Sequence, residues 1–346
     1  MQHTGPLSSA NLKLLQGVSR SFYLSIRLLP RALRAPIAVG YLLARATDTV
    51  ADTTALPQDE RQRLLSELLA AIEAPVGQSL PKAADLAAFA EHQTDPHERA
   101  LMQALPACLA LLHTLSDADQ ASVRLVLRPI GQGQLLDVAR FGHGPASLAT
   151  EAELDDYTWL VAGCVGEFWT DLCERHLPGW AAQPAPAMRA LGRRYGMGLQ
   201  RLNILRDAGK DLADGRCYLP ASHLLPLGLS GPALARAVHS GDSATLARLA
   251  PLWQGMLQET RALLADGLHY SLALNSRRLR LASALPALIG ARTLALLEAA
   301  GPEALLRPVK MPRREVRALL WRWLLQGLSR AALQREFVRL AGPSAA

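Results

Sequence analysis

Two pairs of aspartates are the residues of this sequence best suited to chemistry. Asp48 and Asp52 lie four positions apart, and so do Asp207 and Asp211. On a helix, positions i and i+4 share one face, so each pair would present two carboxylates together. Such a pair suits Mg²⁺, which takes one or two carboxylates, keeps waters and bridges to substrate phosphates. Either pair alone is weak evidence, because D-x-x-x-D also arises by chance at a solvated helix end.

A polar stripe and several arginines surround these pairs. The stripe runs at steps of three or four residues through Gln200, Asn203, Asp207 and Asp211. If it is buried, it needs a partner, which a metal–phosphate cluster would supply; the alternative is a solvated helix face that ends at a glycine. The arginines, whose planar donors match phosphate oxygens, are Arg45, Arg206 and Arg216. Together the two pairs predict a Mg²⁺ cage for a diphosphate.

Composition sets the class of protein that must hold these residues. Half of the 346 residues are hydrophobic and only 5% are aromatic, with Ala, Leu and Arg recurring throughout, which favours helices over strands. The formal charge of +7 fits an anionic partner, either a polyphosphate, an acidic membrane surface or nucleic acid. No basic run or nucleic-acid motif accompanies it, so we predict no nucleic-acid partner. The four cysteines lack metal-ligand spacing and are predicted to be reduced, packed thiols.

Helical periodicity dominates the chain. Apolar residues recur every three or four positions from Leu246 to Leu264, and comparable patterns cover 31–52, 58–73, 98–115, 117–140, 153–175, 186–213, 276–299 and 313–339. The lengths are too uneven for a repeat array, and no long linker divides the chain. We therefore predict one all-α domain over 1–346, with a core at about 15–300 and C-terminal helices at 300–340. No signal peptide and no spanning helix are expected, since the N-terminus lacks a charged and apolar leader and no apolar run reaches about 18 residues.

Three motifs, in order along the chain, resemble the squalene and phytoene synthase family of head-to-head prenyl synthases. The first is Ser19-Arg-Ser21-Phe22, followed by Tyr41 and by Arg45-x-x-Asp48-x-x-x-Asp52. The second is Tyr157-x-x-x-Val161-Ala162-Gly163-x-Val165-Gly166, and the third runs from Gln200 to Pro220 through both aspartates. The family often has Glu before the last aspartate, where this chain has Lys210. Lys210 would point away from the carboxylate face, so we expect the change to be tolerated.

The resemblance implies a fold and a role for each matching residue. It implies an isoprenoid synthase helical bundle with a central apolar cavity, in which about two or three Mg²⁺ ions bind a prenyl diphosphate. Metal ligands would be Asp48, Asp52, Asn203, Asp207 and Asp211, the four acids being catalytic together with Tyr157, a proton-transfer or cation-stabilising group. Substrate contacts would come from Ser19, Ser21, Phe22, Tyr41, Arg45, Val161, Ala162, Gly163, Gln200, Asn203, Arg206 and Arg216. For Tyr157 a core role is the alternative, and for Gly163 and Gly166 it is close helix packing.

The C-terminal part resembles the squalene-forming branch of the family. Ala284-Leu-Pro286 with Thr293-Leu294, and Val309-Lys310-Met-Pro-Arg313, are similar to segments of that branch. The resemblance implies condensation of two farnesyl diphosphates through presqualene diphosphate, and reduction by NADPH bound by Lys310 and Arg313. There is no glycine-rich dinucleotide loop. The alternatives are a non-reductive member, making presqualene diphosphate, hydroxysqualene, dehydrosqualene or phytoene, and a catalytically silent assembly or binding homologue.

The last segment is basic and amphipathic. Trp321, Trp323 and Phe337 alternate there with arginines. This predicts peripheral contact with an anionic membrane; an ordinary packed final helix is the alternative. We expect a cytoplasmic protein that can touch the inner membrane surface, and we make no prediction of its oligomeric state.

Overall fold

The computed structural model describes residues 9–19, 22–75, 83–142, 145–325 and 329–342. The chain forms two compact units. The first comprises Met1–Gly142 and Phe168–Pro178, and the second comprises His143–Glu167 and Gly179–Ala346. The expectation of one domain stays a prediction.

Helices build the first unit. They are α1 Ser9–Val18, α2 Phe22–Leu28, α3 Arg31–Asp52, α4 Gln58–Glu73, α5 Ala83–Glu91, α6 Pro96–Gln103, α7 Leu105–Leu112 and α8 Asp117–Phe141. Polar caps begin two of them: Asp95 accepts from the His97 amide at 2.7 Å, and the Ser116 hydroxyl accepts from the Asp119 amide at 3.3 Å. Each cap satisfies an amide at the helix start that has no partner within the helix and stabilises by about 1 kcal/mol.

Helix α3 forms the centre of this unit because its apolar side chains face several neighbours. Leu33, Ile37 and Leu43 are buried at intervals that keep one helix face in the core. The helix packs against α4, α6, α7 and α8. Its last two turns carry Arg45, Asp48 and Asp52, so the first aspartate pair sits on a helix held by the core.

The second unit is also built from helices. In order they are α9 Glu151–Thr158, α10 Cys164–His176 (which continues into the first unit from Phe168), α11 Ala185–Ala213, α12 Ala221–Leu224, α13 Gly231–Ser240, α14 Ser243–Ala247, α15 Ala250–Ala273, α16 Arg277–Ala300, α17 Arg313–Leu325 and α18 Arg330–Ala341. Helix α11 packs against α9, α13, α15 and α16. The hydroxyl of Tyr195 on α11 donates to the buried carbonyl of Ser283 at 2.8 Å and ties α11 to α16.

A single π-helical turn, Trp159–Gly163, joins α9 to α10. The π turn and the start of α10 lie against α11 at glycines. A Cβ added to Gly166 on α10 would lie 1.8 Å from the Gly192 carbonyl oxygen, and one added to Gly196 on α11 would lie 2.2 Å from that of Ala162 in the π turn. Only glycine permits backbones to approach this closely. The alternative reading of Gly166, close packing against a neighbouring helix, is therefore the observed one.

Two short strands, β1 Ala146–Ser147 and β2 Arg216–Cys217, pair in parallel. Strand β2 follows α11 after Gly215, whose φ of +80° lies in the left-handed region that ends helices. Strand β1 leads into α9. The pairing thus fixes the end of the second aspartate motif beside the start of the helix that carries Tyr157.

The all-α prediction is confirmed, with instructive differences. The segments 31–52 and 58–73 coincide with α3 and α4. The predicted helix 98–115 is divided at Ala104, and the predicted helix 313–339 is divided at Ser329, which caps the start of α18. The sequence predicted no spanning helix, yet Arg277–Leu305 has the length and the apolar composition of a membrane-spanning helix. Since 67% of its most apolar window is buried, it has the burial of a core helix.

Candidate functional site

The first aspartate pair lies on α3 within a network of charges. Arg45 contacts the carboxylate of Asp48, one turn along the helix, and also that of Glu98 on α6. The Arg45 side chain is 29% exposed, so its guanidinium still meets solvent. An arginine held by two carboxylates keeps a fixed direction and remains available to an anion.

Asp48 and Asp52 affect each other electrostatically. Partial burial and the negative charge of Asp52 raise the pKa of Asp48 above its usual value, although Arg45 lowers it. Two carboxylates that repel each other in this way are both stabilised by a shared cation. The donor set and its charge therefore fit Mg²⁺.

Tyr41 and Ser19 lie beside this network in the first unit. The Tyr41 hydroxyl donates to the Val18 carbonyl at 3.2 Å, and the buried Ser19 hydroxyl donates to the Leu15 carbonyl at 2.6 Å. Burial raises the pKa of Tyr41, while Arg45 and a hydrogen bond with Ser19 lower it, so the three polar groups are neighbours. Ser21 lies outside the described residues; Phe22 begins α2, and its side chain is also outside them.

The second aspartate motif lies on the last three turns of α11. Arg206 donates its Nε to Asp207 Oδ1 at 3.0 Å, and Asn203 donates to Gln200 Oε1 at 3.3 Å. Asp207 is 34% exposed, so solvent reaches its carboxylate. The predicted polar stripe is real: its members are half-buried along one side of the helix while Leu202 and Leu205 are buried.

Asp211 lines a small cleft with the strand that follows α11. Arg216 lies 3.4 Å from Asp211 Oδ1 and 3.6 Å from Asp214 Oδ2. Burial raises the pKa of Asp211 to about 6; Arg216 lowers it and the charge of Asp207 raises it. The cleft is lined by Ile204, Ala208, Asp211, Leu212, Arg216, Cys217, Tyr218 and Leu219. Lys210 is 75% exposed and pairs with Asp214 at 3.4 Å, so it points into solvent as expected.

Tyr157 is buried and stacks on Tyr218. Their ring centroids are 5.0 Å apart, and the Tyr157 hydroxyl donates to that of Tyr218 at 3.4 Å. Because Tyr218 also lines the cleft of Asp211 and Arg216, the stack connects Tyr157 to the second aspartate motif. The structure thus brings together two motifs that are about 50 residues apart in sequence.

The π turn contains the predicted substrate-contact residues Val161, Ala162 and Gly163. Val161 and Ala162 are half-buried and Gly163 is buried. A Cβ on Gly163 would lie 2.9 Å from the Trp159 ring and 3.0 Å from Met197. π-helical turns occur often at functional sites because they redirect side chains and carbonyls locally.

The predicted cofactor residues are not among those that line the cleft of Asp211 and Arg216. Lys310 and Arg313 are exposed, and Arg313 begins α17. The preceding turn, Gly301–Leu305, crosses α11 at Gly209, where an added Cβ would lie 2.0 Å from the Leu305 carbonyl oxygen. Gly209 is two positions from Asp207 and Asp211, which places it on roughly the opposite side of the helix at ~100° per residue. The two cations suit phosphates, but these exposed side chains do not by themselves form a nicotinamide site.

Within the described ranges, no group of three or more His, Cys, Asp or Glu side chains is arranged to hold a metal ion. Each motif instead offers two carboxylates. Mg²⁺ is commonly held by one or two carboxylates with substrate phosphates completing its shell. The residues therefore fit Mg²⁺ that arrives with a diphosphate.

Three residues make contacts at the site that the sequence did not predict. Glu98 reaches Arg45 from a distant helix, and no local spacing signals it. Tyr218 lies within the third motif, between Gln200 and Pro220, but no role was predicted for it there. Arg201 is buried beside the polar stripe against three carboxylates, a contact that only tertiary structure reveals.

Comparisons with known proteins show the family to which this chain is similar. The family model described as squalene/phytoene synthase matches residues 15–315. A squalene synthase of Saccharomyces cerevisiae is 28% identical over 63% of this chain and 47% of its own, and one of Eremothecium gossypii is 30% identical over 61% and 46%. The matched stretch thus covers less than half the length of these curated relatives.

Solved structures share the fold. A complex of TcSQS with the ligand BPH1237 has a TM-score of 0.75 at 20% identity, covering 95% of this chain and 88% of that one. The squalene synthase HpnC from Alicyclobacillus acidocaldarius has a TM-score of 0.57 at 21% identity, covering 84% and 93%. A dehydrosqualene synthase has a TM-score of 0.54 at 18% identity, covering 90% and 96%. At these identities the likeness concerns the fold alone.

Proposed function

Because the chain belongs to the squalene/phytoene synthase family, we propose that it is a Mg²⁺-dependent prenyltransferase that joins two farnesyl diphosphates head to head. In this proposal the product is squalene, formed through presqualene diphosphate with NADPH as reductant. The observation that carries the proposal is the presence of both aspartate pairs, each with an arginine beside one of its carboxylates: Arg45 beside Asp48, and Arg216 beside Asp211.

The first half-reaction requires a diphosphate to leave and a cation to survive. The C–O bond of one substrate breaks, its C1 bonds to the 2,3-double bond of the second substrate, and loss of a proton closes a cyclopropane ring. Bound Mg²⁺ would supply charge neutralisation of the departing diphosphate. Asp48, Asp52, Asp207 and Asp211, with Asn203, are the residues proposed to hold it.

Arginines and tyrosine complete the proposed machinery. Arg45 and Arg206 would donate to diphosphate oxygens, as guanidinium groups do in bidentate geometry. Tyr157 is buried beside Tyr218, so its hydroxyl can orient in a dry environment, where it would accept the departing proton or stabilise the cation. Ser19, Tyr41 and Gln200 supply further polar contacts in the proposal.

The second half-reaction decides the product. The second diphosphate leaves the cyclopropylcarbinyl carbon, and the cation rearranges by migration of a ring bond to a C1–C1′-linked cyclopropylcarbinyl cation. Quenching of this rearranged cation breaks a ring bond and gives the open chain. A hydride from NADPH gives squalene and NADP⁺, loss of a proton gives dehydrosqualene, and water gives an alcohol. The support for hydride is the segment from Ala284 to Arg313, similar to the squalene-forming branch, together with the two exposed cations Lys310 and Arg313.

The deciding experiment is incubation of the purified protein with farnesyl diphosphate and Mg²⁺, with and without NADPH, followed by identification of the lipid products. Squalene with NADPH, and presqualene diphosphate or non-reduced products without it, is the expected result. An identical product profile in both conditions would remove the reductive assignment and leave a non-reductive synthase. Absence of any condensation product would favour the silent homologue.

We further propose that α17 rests on an anionic membrane surface. Of the aromatic residues predicted to make this contact, Trp321 is exposed, whereas Trp323 and Phe337 are buried as in an ordinary packed helix. Trp321 and Leu325 are 68% and 83% exposed, one turn apart on α17. Residues 313–341 contain seven arginines and two glutamates, which gives +5 of the chain's formal charge of +7. Exposed apolar side chains among cations are typical of helices that lie in the plane of an acidic bilayer. Such contact would let a hydrocarbon product pass into lipid from a cytoplasmic enzyme.

A further inference from the structure

Arg201 lies inside the second unit between three carboxylates. Only 4% of its side chain is exposed, and its guanidinium contacts Glu151 and Asp155 on α9 and Glu259 on α15. The distances to Asp155 Oδ1 and Glu259 Oε2 are both 2.8 Å. A buried guanidinium is costly unless it is paired and hydrogen-bonded, so these carboxylates are what allow Arg201 to occupy the interior.

The contacts with α9 constrain the rotation of that helix. Glu151 and Asp155 are four positions apart and present their carboxylates on one face. Tyr157 follows Asp155 by two positions, which turns it by ~200° about the helix axis. Because Arg201 holds the acidic face of α9, it also determines the direction of the Tyr157 side chain, which stacks on Tyr218.

Arg201 itself belongs to the helix that carries the second aspartate motif. Arg201 is on α11, two positions before Asn203 and six before Asp207. We propose that Arg201 is a positioning residue that sets the placement of Tyr157 on α9 relative to Asp207 and Asp211 on α11. This inference rests on the proposed function, in which Tyr157 and the aspartates do the chemistry. A displacement of about 1 Å in such a relationship can lower turnover by ~10²-fold.

A purely structural role makes a different prediction, and the chain provides a matched pair of variants. Asp155 and Glu259 contact the same guanidinium at the same 2.8 Å distance, and their side chains are 52% and 54% exposed. They differ in the helix that carries them, because α15 holds none of the proposed site residues. If Arg201 only stabilises the fold, loss of either carboxylate should affect turnover equally. If Arg201 positions Tyr157, loss of Asp155 should lower turnover more than loss of Glu259.

The experiment compares Asp155→Asn with Glu259→Gln in the full chain. Melting temperature, kcat and KM for farnesyl diphosphate, and hydrogen exchange of the α9 amides are measured for each. We expect similar falls in melting temperature. For Asp155→Asn we expect kcat lowered about tenfold with KM within about twofold, and faster exchange in α9. Glu259→Gln should keep kcat within about twofold of the wild type.

Arg201 itself provides the rescue test. Arg201→Lys keeps the charge and should retain more turnover than Arg201→Met at equal amounts of folded protein. Equal losses of kcat in Asp155→Asn and Glu259→Gln, or α9 exchange unchanged by Asp155→Asn, would overturn the inference. If the wild-type protein converts no farnesyl diphosphate, the proposed function fails, and the exchange measurement alone still decides whether Arg201 holds α9.

Discussion

Tyr157 stacks on Tyr218 with an angle of 23° between the ring planes, and their hydroxyls are 3.4 Å apart. A hydrogen bond at that distance contributes little to stability. We therefore expect Tyr157→Phe to lower turnover at least about tenfold, because the reacting hydroxyl is lost, and to change the melting temperature by less than about 3 °C. Steady-state kinetics and thermal melting of the same preparation measure both.

The matched control for this prediction is Tyr218→Phe, which removes the other hydroxyl of the stack. We expect it to reduce turnover less than Tyr157→Phe does. If Tyr157→Phe melts well below the wild type but turns over normally when folded, Tyr157 is a core residue only.

Each aspartate pair should be needed for turnover. Asp48→Asn or Asp207→Asn removes one carboxylate from a two-carboxylate set, so we expect at least about a 10²-fold loss of kcat with the fold intact. EDTA should abolish activity and added Mg²⁺ should restore it. Asp85→Asn is a suitable control, since Asp85 is ion-paired with Arg63 and 36% exposed, near the 41% of Asp48. Full activity in either motif variant would contradict the proposed metal ligands.

Lys310 should matter to the reductive half-reaction alone. We expect Lys310→Ala to raise the NADPH concentration needed for half-maximal squalene formation by about fivefold or more, because one phosphate contact is lost. Formation of presqualene diphosphate without NADPH should be unchanged. Arg307→Ala, which removes an exposed cation three positions away, is the control. Equal responses of the two variants would leave Lys310 without a specific role.

Glycine substitutions test the close packing of the first turn of α10 against α11. Gly166→Ala would place a methyl group 1.8 Å from the Gly192 carbonyl oxygen, so we expect a loss of about 3 kcal/mol or more in the free energy of unfolding. Gly255→Ala on α15 meets no atom within 4 Å and should instead raise stability by about 0.4–1 kcal/mol. Chemical denaturation of both variants measures the difference, and a stable Gly166→Ala protein would contradict the close approach.

Membrane contact by α17 should depend on lipid charge and on its exposed apolar residues. We expect the protein to sediment with vesicles containing phosphatidylglycerol and not with pure phosphatidylcholine, and raised salt should weaken the binding. Replacing Trp321 and Leu325 by Ser should reduce binding about tenfold, whereas Leu225→Ser, at a 69% exposed residue outside this segment, should not. Binding that ignores lipid charge would contradict the proposal.

The sequence predicted the long helices well because their apolar faces repeat over many turns. Helices α3 and α4 begin and end at the predicted residues, and α11 and α16 do so within one residue. The stripe through Gln200, Asn203, Asp207 and Asp211 was predicted because it lies on one such helix, where spacing alone defines the face.

Contacts between distant segments could not be predicted in the same way. The pairing of Arg45 with Glu98 joins residues 53 positions apart, and Tyr157 meets Tyr218 across 61 positions. No periodic pattern encodes such pairs, because they depend on how helices pack rather than on how each one is wound. The short helix α12 was missed for a related reason, since about one turn of helix contains too few residues for a periodicity. The pattern predicted from Leu246 to Leu264 did not show the division between α14 and α15.

The π turn at Trp159–Gly163 has a consequence for how this helix can change over generations. A π turn holds one residue more than the α-helical turn it replaces, so deleting any one of its five residues would restore an uninterrupted α-helix. Because the wider turn accommodates its extra residue within about one helical turn, the segment from Cys164 to His176 would keep roughly its present orientation relative to Tyr157. A single-residue deletion here would therefore leave both flanking helices in place, and its effect would be confined to the backbone of the turn at Val161 and Ala162.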